Sequence, residues 1–359
     1  MWSHWICDTI SGSKMMAVKP YSERWRTVIN GVGDGEHEFR LRDAETALPR
    51  AVWQDLATPW ARTLVVCWED VPQYAGLIQK PKYTKTNGVL SLGTVELRAI
   101  FAKRMPFIVP AYDPNGVNAV AGKSLRGVAR QIVRWGTFSG FVGDAWYLPV
   151  ILPADEAGSE SRSWPHHGFL TVEDLLTQIQ DTEGGPDVHF RPRWSAAGAL
   201  EWELRLGAPT LTGPTFEWDL TAAEVGVLNF THTIDGSKQL TGVFGVANGS
   251  GADMIVGQSP ALGIPGTPIP NRDEKRPIKT FGSKPEADAR SLAELKTFRE
   301  ATRFEEFDLQ ASDVLPTMIL GSTLRAWIKD DEFMNDGWVT RSLVGMSGAL
   351  TDNIRLEML

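Results

Sequence analysis

The sequence predicts an α+β chain that is mostly β, with two antiparallel β domains and a mixed α/β domain inserted. Three observations predict it. Leu64–Arg104 alternates apolar and polar positions in short runs bounded by Gly, Asn, Asp and Pro, the pattern of half-buried antiparallel strands. Between Pro106 and Gly185 two segments have helical spacing instead. Strand alternation returns from Val188, and again from Thr323 to the last residues.

Taken in order, Trp2–Asp43 reads as strands, with a polar turn at Ser11-Gly12-Ser13 and another at Gly31–Gly35. His37-Glu38-Phe39-Arg40-Leu41 alternates strictly and places Phe39 and Leu41 on one face. Ala51–Leu56 suits a single helical turn or a loop. A meander follows: Leu64–Trp68, Tyr74–Ile78, a turn at Asn87-Gly88, Val89–Leu92, and an alternating run over Val95–Phe101. This is a wall of a small β-barrel or sandwich. Pro106, Pro110 and Pro114 mark a boundary.

Ser124 caps a helix whose apolar residues are Leu125, Val128, Ala129, Ile132 and Val133, with Gly136 at its end. Thr171 and Asp174 form a capping box for a second helix through Leu175, Leu176 and Ile179. Ala154–Ser163 reads as a polar surface loop. Val188–Trp194 and Leu200–Leu206 are strands, and Phe216–Asp219 leads to a hairpin of Val225–Ile234 and Gln239–Ala247 around Asp235-Gly236. Asn248–Pro285 is rich in Gly and Pro and reads as a long irregular stretch, suited to ordering against a partner. A helix runs from Glu286 to about Arg303, with Ser291 and Glu294 as an internal capping pair. Thr323–Lys329, Trp338–Val344 and Asn353–Met358 are the last strands.

At 359 residues, 42% hydrophobic and 22% charged, the chain has enough material for two or three globular domains. A formal net charge of -8 argues against a general binder of nucleic acid or anionic membranes and leaves room only for a local basic patch. The 14 tryptophans suit cores and protein interfaces. Cys7 and Cys67 stand outside any metal-binding spacing; they read as free buried thiols, with a disulfide between them left open. The N-terminus lacks a secretory pattern, and no apolar run is long enough to span a membrane, so the expectation is a chain made in a cytoplasm without a membrane anchor.

No catalytic residue, cofactor or metal ligand is assigned. His166-His167 comes without HExxH or carboxylate spacing and reads as an exposed loop pair; His189 reads as structural on its strand. There is no GxSxG, no P-loop and no GxGxxG after a strand, and Gly245–Gly251 lacks the Lys-Ser/Thr and following helix that phosphate binding needs. The adjacent acids Glu69-Asp70, Glu305-Glu306 and Asp330-Asp331 read as solvated edges or turns. The strongest local electrostatic feature is Arg126, Arg130 and Arg134, four apart on one helix face beside Lys123. These are candidate partner-contact residues, suited to phosphate or an acidic protein surface, set against a plain solvated helix face. Gly122–Arg130, GKSLRGVAR, also resembles a turn of CRISPR repeat-associated RNA-binding subunits, without their flanking ferredoxin-like pattern.

Over most of its length the chain resembles the hub and tail-associated minor tail proteins at the tail tip of long-tailed phages that infect actinobacteria. The residues that carry it are the Gly turn and alternating strand in Asn30–Asp43, Trp68-Glu69-Asp70 followed by Tyr74–Ile78, Leu97–Arg104, and Asp336–Gly345. The resemblance implies two tail-tube-like β-barrels, one in 1–110 and one in 206–247 with 310–359, and a mixed insert in 111–205 with 248–309. It implies a homotrimer whose six barrels adapt a sixfold tail tube to a threefold tip and line the channel for DNA and the tape measure protein. Partners would be the distal tail protein ring, the tape measure protein and other minor tail proteins. With no domain expected after Leu359, host binding or peptidoglycan cleavage would fall to another protein. The rival readings are a carbohydrate- or peptidoglycan-active tail enzyme stacking sugars on tryptophans, and an RNA-binding CRISPR subunit; neither needs a cofactor that the sequence supplies.

Overall fold

A computed structural model describes residues 1–43, 48–138, 147–222, 226–246, 251–259, 269–277, 283–311 and 314–359. The chain forms two compact units, one of Met1–Asn229 with Phe307–Met358, the other of Phe230–Glu306.

The first unit opens with β1 (Trp2–Asp8), β2 (Lys14–Val18), β3 (Ser22–Val28) and β4 (Asp34–Arg40), then helix α1 (Arg50–Leu56). The expected meander follows as β5 (Arg62–Trp68), β6 (Val71–Thr84) and β7 (Val89–Glu96). These strands lie in the order β3-β4-β7-β6-β5-β1-β2, each pair antiparallel. Trp68 pairs with Val71, so Glu69 and Asp70 form a two-residue hairpin, both at positive φ (49° and 63°). The strand expected through Arg104 stops early: Leu97–Lys103 is a 3₁₀ helix. Its buried residues, Leu97, Arg98 and Phe101, are spaced for one side of a helix and not for a strand face.

The insert after Pro106 contains β8 (Val117–Lys123), α2 (Leu125–Thr137), β9 (Val150–Ile151), β10 (Glu160–Pro165), α3 (Val172–Gln180), β11 (Val188–Trp194) and β12 (Leu200–Leu206). Ser124 Oγ accepts from Gly127 N at the start of α2, and Thr171 with Asp174 makes the capping box of α3, as the sequence predicts. The surface loop expected up to Ser163 gives way to β10, which pairs antiparallel with β8. Both helices and the β11–β12 hairpin pack on the β5–β6 wall in one apolar core. Val65, Cys67, Ala75 and Leu77 of that wall enter this core, while Leu64, Val66, Tyr74 and Ile78 are buried on the other face. Burial on both faces explains why β5 reads as a nearly continuous apolar run.

β13 (Thr215–Asp219) pairs in parallel with β19 (Thr323–Ile328). The Asp235-Gly236 hairpin does not form. β14 (Val227–Asp235) lies beside β18 (Thr302–Gln310), while β15 (Gly242–Val246) pairs with β16 (Val256–Gln258) and β17 (Asp273–Pro277). The second unit thus holds strands within the stretch expected to be irregular; 247–250, 260–268 and 278–282 lie outside the described residues. Its helix α4 is Lys284–Phe298. Ser291 donates to Ala287 O within α4 and does not cap it. A Cβ on Gly257 would sit 2.2 Å from the Ala287 backbone, so glycine is what lets β16 approach α4.

The chain ends in β20 (Gly337–Ala349) and β21 (Asn353–Met358). β20 pairs antiparallel with β19, β21 and β3, so the N-terminal and C-terminal strands share one sheet; among the described residues no closed barrel forms. The sheet nevertheless curls. Four strands separate β1 from β3, yet Trp2 and Trp25 lie 6.1 Å apart, ring to ring. No ladder joins β1 to β3 among the described residues, and the seam is bridged by side chains.

Candidate functional site

The arginine face of α2 follows from its spacing. Val128, Ala129, Ile132 and Val133 are buried, which turns Arg126, Arg130 and Arg134 the other way. The structure gives most of these cations an intramolecular partner. Arg126 is 3.1 Å from Glu156, Arg130 Nε donates to Pro153 O at 2.7 Å, and Lys123 pairs with Asp155. The hydrogen bond and charge of Lys123 hold the Asp155 carboxyl below its ordinary range. The loop that reads as polar surface thus supplies the countercharge. Arg134 is exposed and lies 5.4 Å over the exposed ring of Phe138.

The other expected polar features have local duties. His166 stacks on Phe107 at 4.2 Å with Nε2 3.1 Å from Asn118 Oδ1, and His167 Nδ1 lies 3.4 Å from Pro114 O, so the pair pins the proline-rich loop. Glu305 is buried against His232 at 2.9 Å. Asp331 Oδ1 accepts from the backbone of Phe333 and Met334. Among the described residues no three His, Cys, Asp or Glu side chains are arranged to hold a metal ion. Cys7 and Cys67 are free, and burial pushes each thiol up to about 12.

Sequence reasoning missed a charged cluster inside the curl. Glu23 on β3 is fully buried, with His37 Nδ1 of β4 at 3.0 Å and His4 Nε2 of β1 at 2.9 Å, both on Oε2. His37 Nε2 is 3.4 Å from Thr94 Oγ1, which is 2.9 Å from the Tyr74 hydroxyl. With Glu23 ionised one direction satisfies the chain: Tyr74 donates to Thr94, Thr94 to His37, and His37 to Glu23. Burial alone would raise the Glu23 carboxyl, but His37 and then His4 outweigh it and leave it at about 2. Burial lowers His37. Further along, Glu96 accepts from Gly33 N at 2.7 Å, yet burial pushes its carboxyl up to about 7. Thr27 Oγ1 lies 3.3 Å from Nε2 of His189, whose imidazole burial lowers to about 3. A Cβ on Gly76 would sit 2.3 Å from the Tyr74 hydroxyl, so this glycine makes the space the phenol occupies. The signal was present: His37 sits two residues before Phe39 on the same face, and Glu23 two residues before Trp25.

No protein-family model matches the chain, and no curated protein matches it. Solved structures do. The 43 kDa tail protein of prophage MuSo2 from Shewanella oneidensis is similar at a TM-score of 0.59 and 10% identity, over 99% of this chain and 98% of that one. A tail protein from Neisseria meningitidis MC58 is similar at 0.53 and 14% identity, over 99% and 95%. A chain of the Francisella PdpA-VgrG complex is similar at 0.55 and 9% identity, over 99% of this chain and 57% of that one. The chain therefore shares the fold of these structures over 99% of its length.

Proposed function

We propose that this chain is a structural subunit of a phage tail tip, located in the virion and made in the cytoplasm of a bacterial host. The observation that carries the reading is the end-to-end match to the MuSo2 tail protein, which leaves no large part of either chain unaccounted for. The finer reading follows the sequence resemblance: a hub, minor tail protein of a long-tailed actinobacteriophage. Three copies form a ring that adapts a sixfold tube to a threefold tip and lines the channel for DNA and tape measure protein. Each copy contributes a first barrel-like domain from 1–110, a second from 206–247 with 310–359, and the mixed insert of 111–205 with 248–309. The curl of the N-terminal sheet supports the first of these. Its neighbours are the distal tail protein ring, the tape measure protein and other minor tail proteins, with Arg134 and its companions Arg126 and Arg130 as a partner contact.

Mass measurement of the purified chain by light scattering, alone and with tail proteins of the same particle, tests the reading. The expected result is a trimer, or a monomer that trimerises on its tail partners. A monomer that joins no tail complex overturns it.

A further inference from the structure

We propose that the His4–Glu23–His37 cluster is an acid-sensitive latch that holds β1 against β3 and β4, so that acid loosens the N-terminal curl before the helical layer. The geometry carries the proposal. Among the described residues the seam between β1 and β3 has no backbone ladder, and side chains cross it. His4 and Glu23 meet across it at 2.9 Å, and Trp2 bridges beside them, in ring contact with Trp25 and donating to Thr351 O. The pairing is also incomplete. Both imidazoles fall on Glu23 Oε2, but only His37 in hydrogen-bonding geometry; His4 Nε2 approaches it as an ion pair without a formed hydrogen bond, and buried Oε1 has no hydrogen-bond partner, so the carboxylate is only half satisfied.

The groups facing this cluster decide its response. From β6 comes Tyr74, on which Glu96 of β7 acts from its place on Gly33 N; His189 of β11 lies further along, on Thr27 of β3. Arg24 and Asp34, paired at 2.9 Å, act from the rim. β5 turns Leu64, Val66 and Trp68 to this side, the last in ring contact with Trp2, and β20 and β21 bring Met346 and Ile354. Closed, the latch keeps Glu23 charged and His37 neutral, so opening in acid lets both take up protons. Glu96 works the other way. Its carboxyl sits at about 7 when buried against an ordinary 4.5, so between those values opening releases a proton. In that window Glu96 offsets His37 and the latch stays closed; His189, also lowered by burial, stays packed with β11 and does not enter the balance. Below about 4.5 Glu96 is protonated in both states, the offset ends, and Glu23 adds its own uptake. Each net proton taken up then raises the open fraction by up to about tenfold per pH unit.

Hydrogen exchange read by mass spectrometry on the full chain, corrected for the intrinsic pH dependence of exchange, tests this. The expected result is that peptides over Trp2–Asp8 and Ser22–Arg40 lose protection steeply below about pH 4.5, while peptides over Val188–Leu206 keep theirs. Glu96→Gln, which keeps an acceptor for Gly33 but no titration, should move the onset up towards the ordinary imidazole value of 6.5. Protection lost evenly over the chain, or an onset that Glu96→Gln does not move, overturns the latch. If that variant does not fold, the wild-type order of loss decides alone.

Discussion

Strands β5 and β6 present two faces, and the faces are built on different chemistry. Outward, Val65, Cys67, Ala75 and Leu77 share one apolar core with Val133 of α2, Leu175 of α3 and Trp202 of β12. Inward, Leu64 and Val66 share their space with Tyr74, Thr94, His37 and Glu23, whose polar atoms each need a partner at a set distance. Adjacent residues of one strand therefore obey different rules. The outer face is held by buried area, which is non-directional and insensitive to pH. The inner face is held by a hydrogen-bond chain, in which a misplaced atom leaves a buried group unpaired.

Each face can be perturbed by itself. Trp202 is 1% exposed on the outer face, and Trp202→Ala should cost ~3–5 kcal/mol. Urea titrations should show the same loss near neutral pH and in mild acid; a loss that changed with pH would mean the outer face is not apolar in effect. Glu96→Gln probes the inner face. A carboxyl raised from 4.5 to about 7 by burial stabilises the fold fully below 4.5, and that contribution disappears as pH rises through 7. The difference amounts to about 3 kcal/mol. The variant should therefore gain stability relative to the wild type as pH rises across that window, and parallel curves would refute the buried charge.

Gly76→Ala should cost ~1–3 kcal/mol, because its Cβ meets the Tyr74 hydroxyl at 2.3 Å. Adding Tyr74→Phe should restore part of that loss, and strict additivity in the double-mutant cycle would show that the phenol is not what crowds the site. On the outer face the thiols of Cys7 and Cys67, pushed up to about 12, should resist alkylation in the native chain and react on unfolding.

What was legible in the sequence was local. The β5–β6–β7 meander, the Ser124 cap and the Thr171–Asp174 box each depend on residues a few positions apart, and each forms. What was not legible depends on distant partners. Nothing in Trp25 or Gly348 announces that β3 and β20 pair, yet that ladder merges both ends of the chain into one sheet. Asp235-Gly236 has the chemistry of a hairpin turn, but β18 and β16 with β17 take the flanking strands instead. The inner cluster failed for a related reason. Alternation places His37 on the core face, but only a carboxylate from another strand makes that position tolerable, and pairing between strands is not written in either one.

The arginine face supplies the smallest effect on stability and a direct test of its role. Arg126 and Glu156 are both more than a third exposed, and such pairs contribute ~0–1 kcal/mol after solvent screening. Arg134 stacks on an exposed ring, worth ~0.5–1 kcal/mol at such a site. Arg126→Ala with Arg134→Ala should therefore shift the urea midpoint only slightly, while Arg130, hydrogen-bonded to Pro153 O, is left to hold the 153–156 loop. If the face contacts a partner, the same double variant should reduce incorporation into tail complexes far more than it reduces stability. Full incorporation at wild-type yield would reduce the stripe to a solvated helix face with its own countercharges. A large loss of stability would mean instead that the loop, through Glu156, depends on Arg126 more than an exposed ion pair allows.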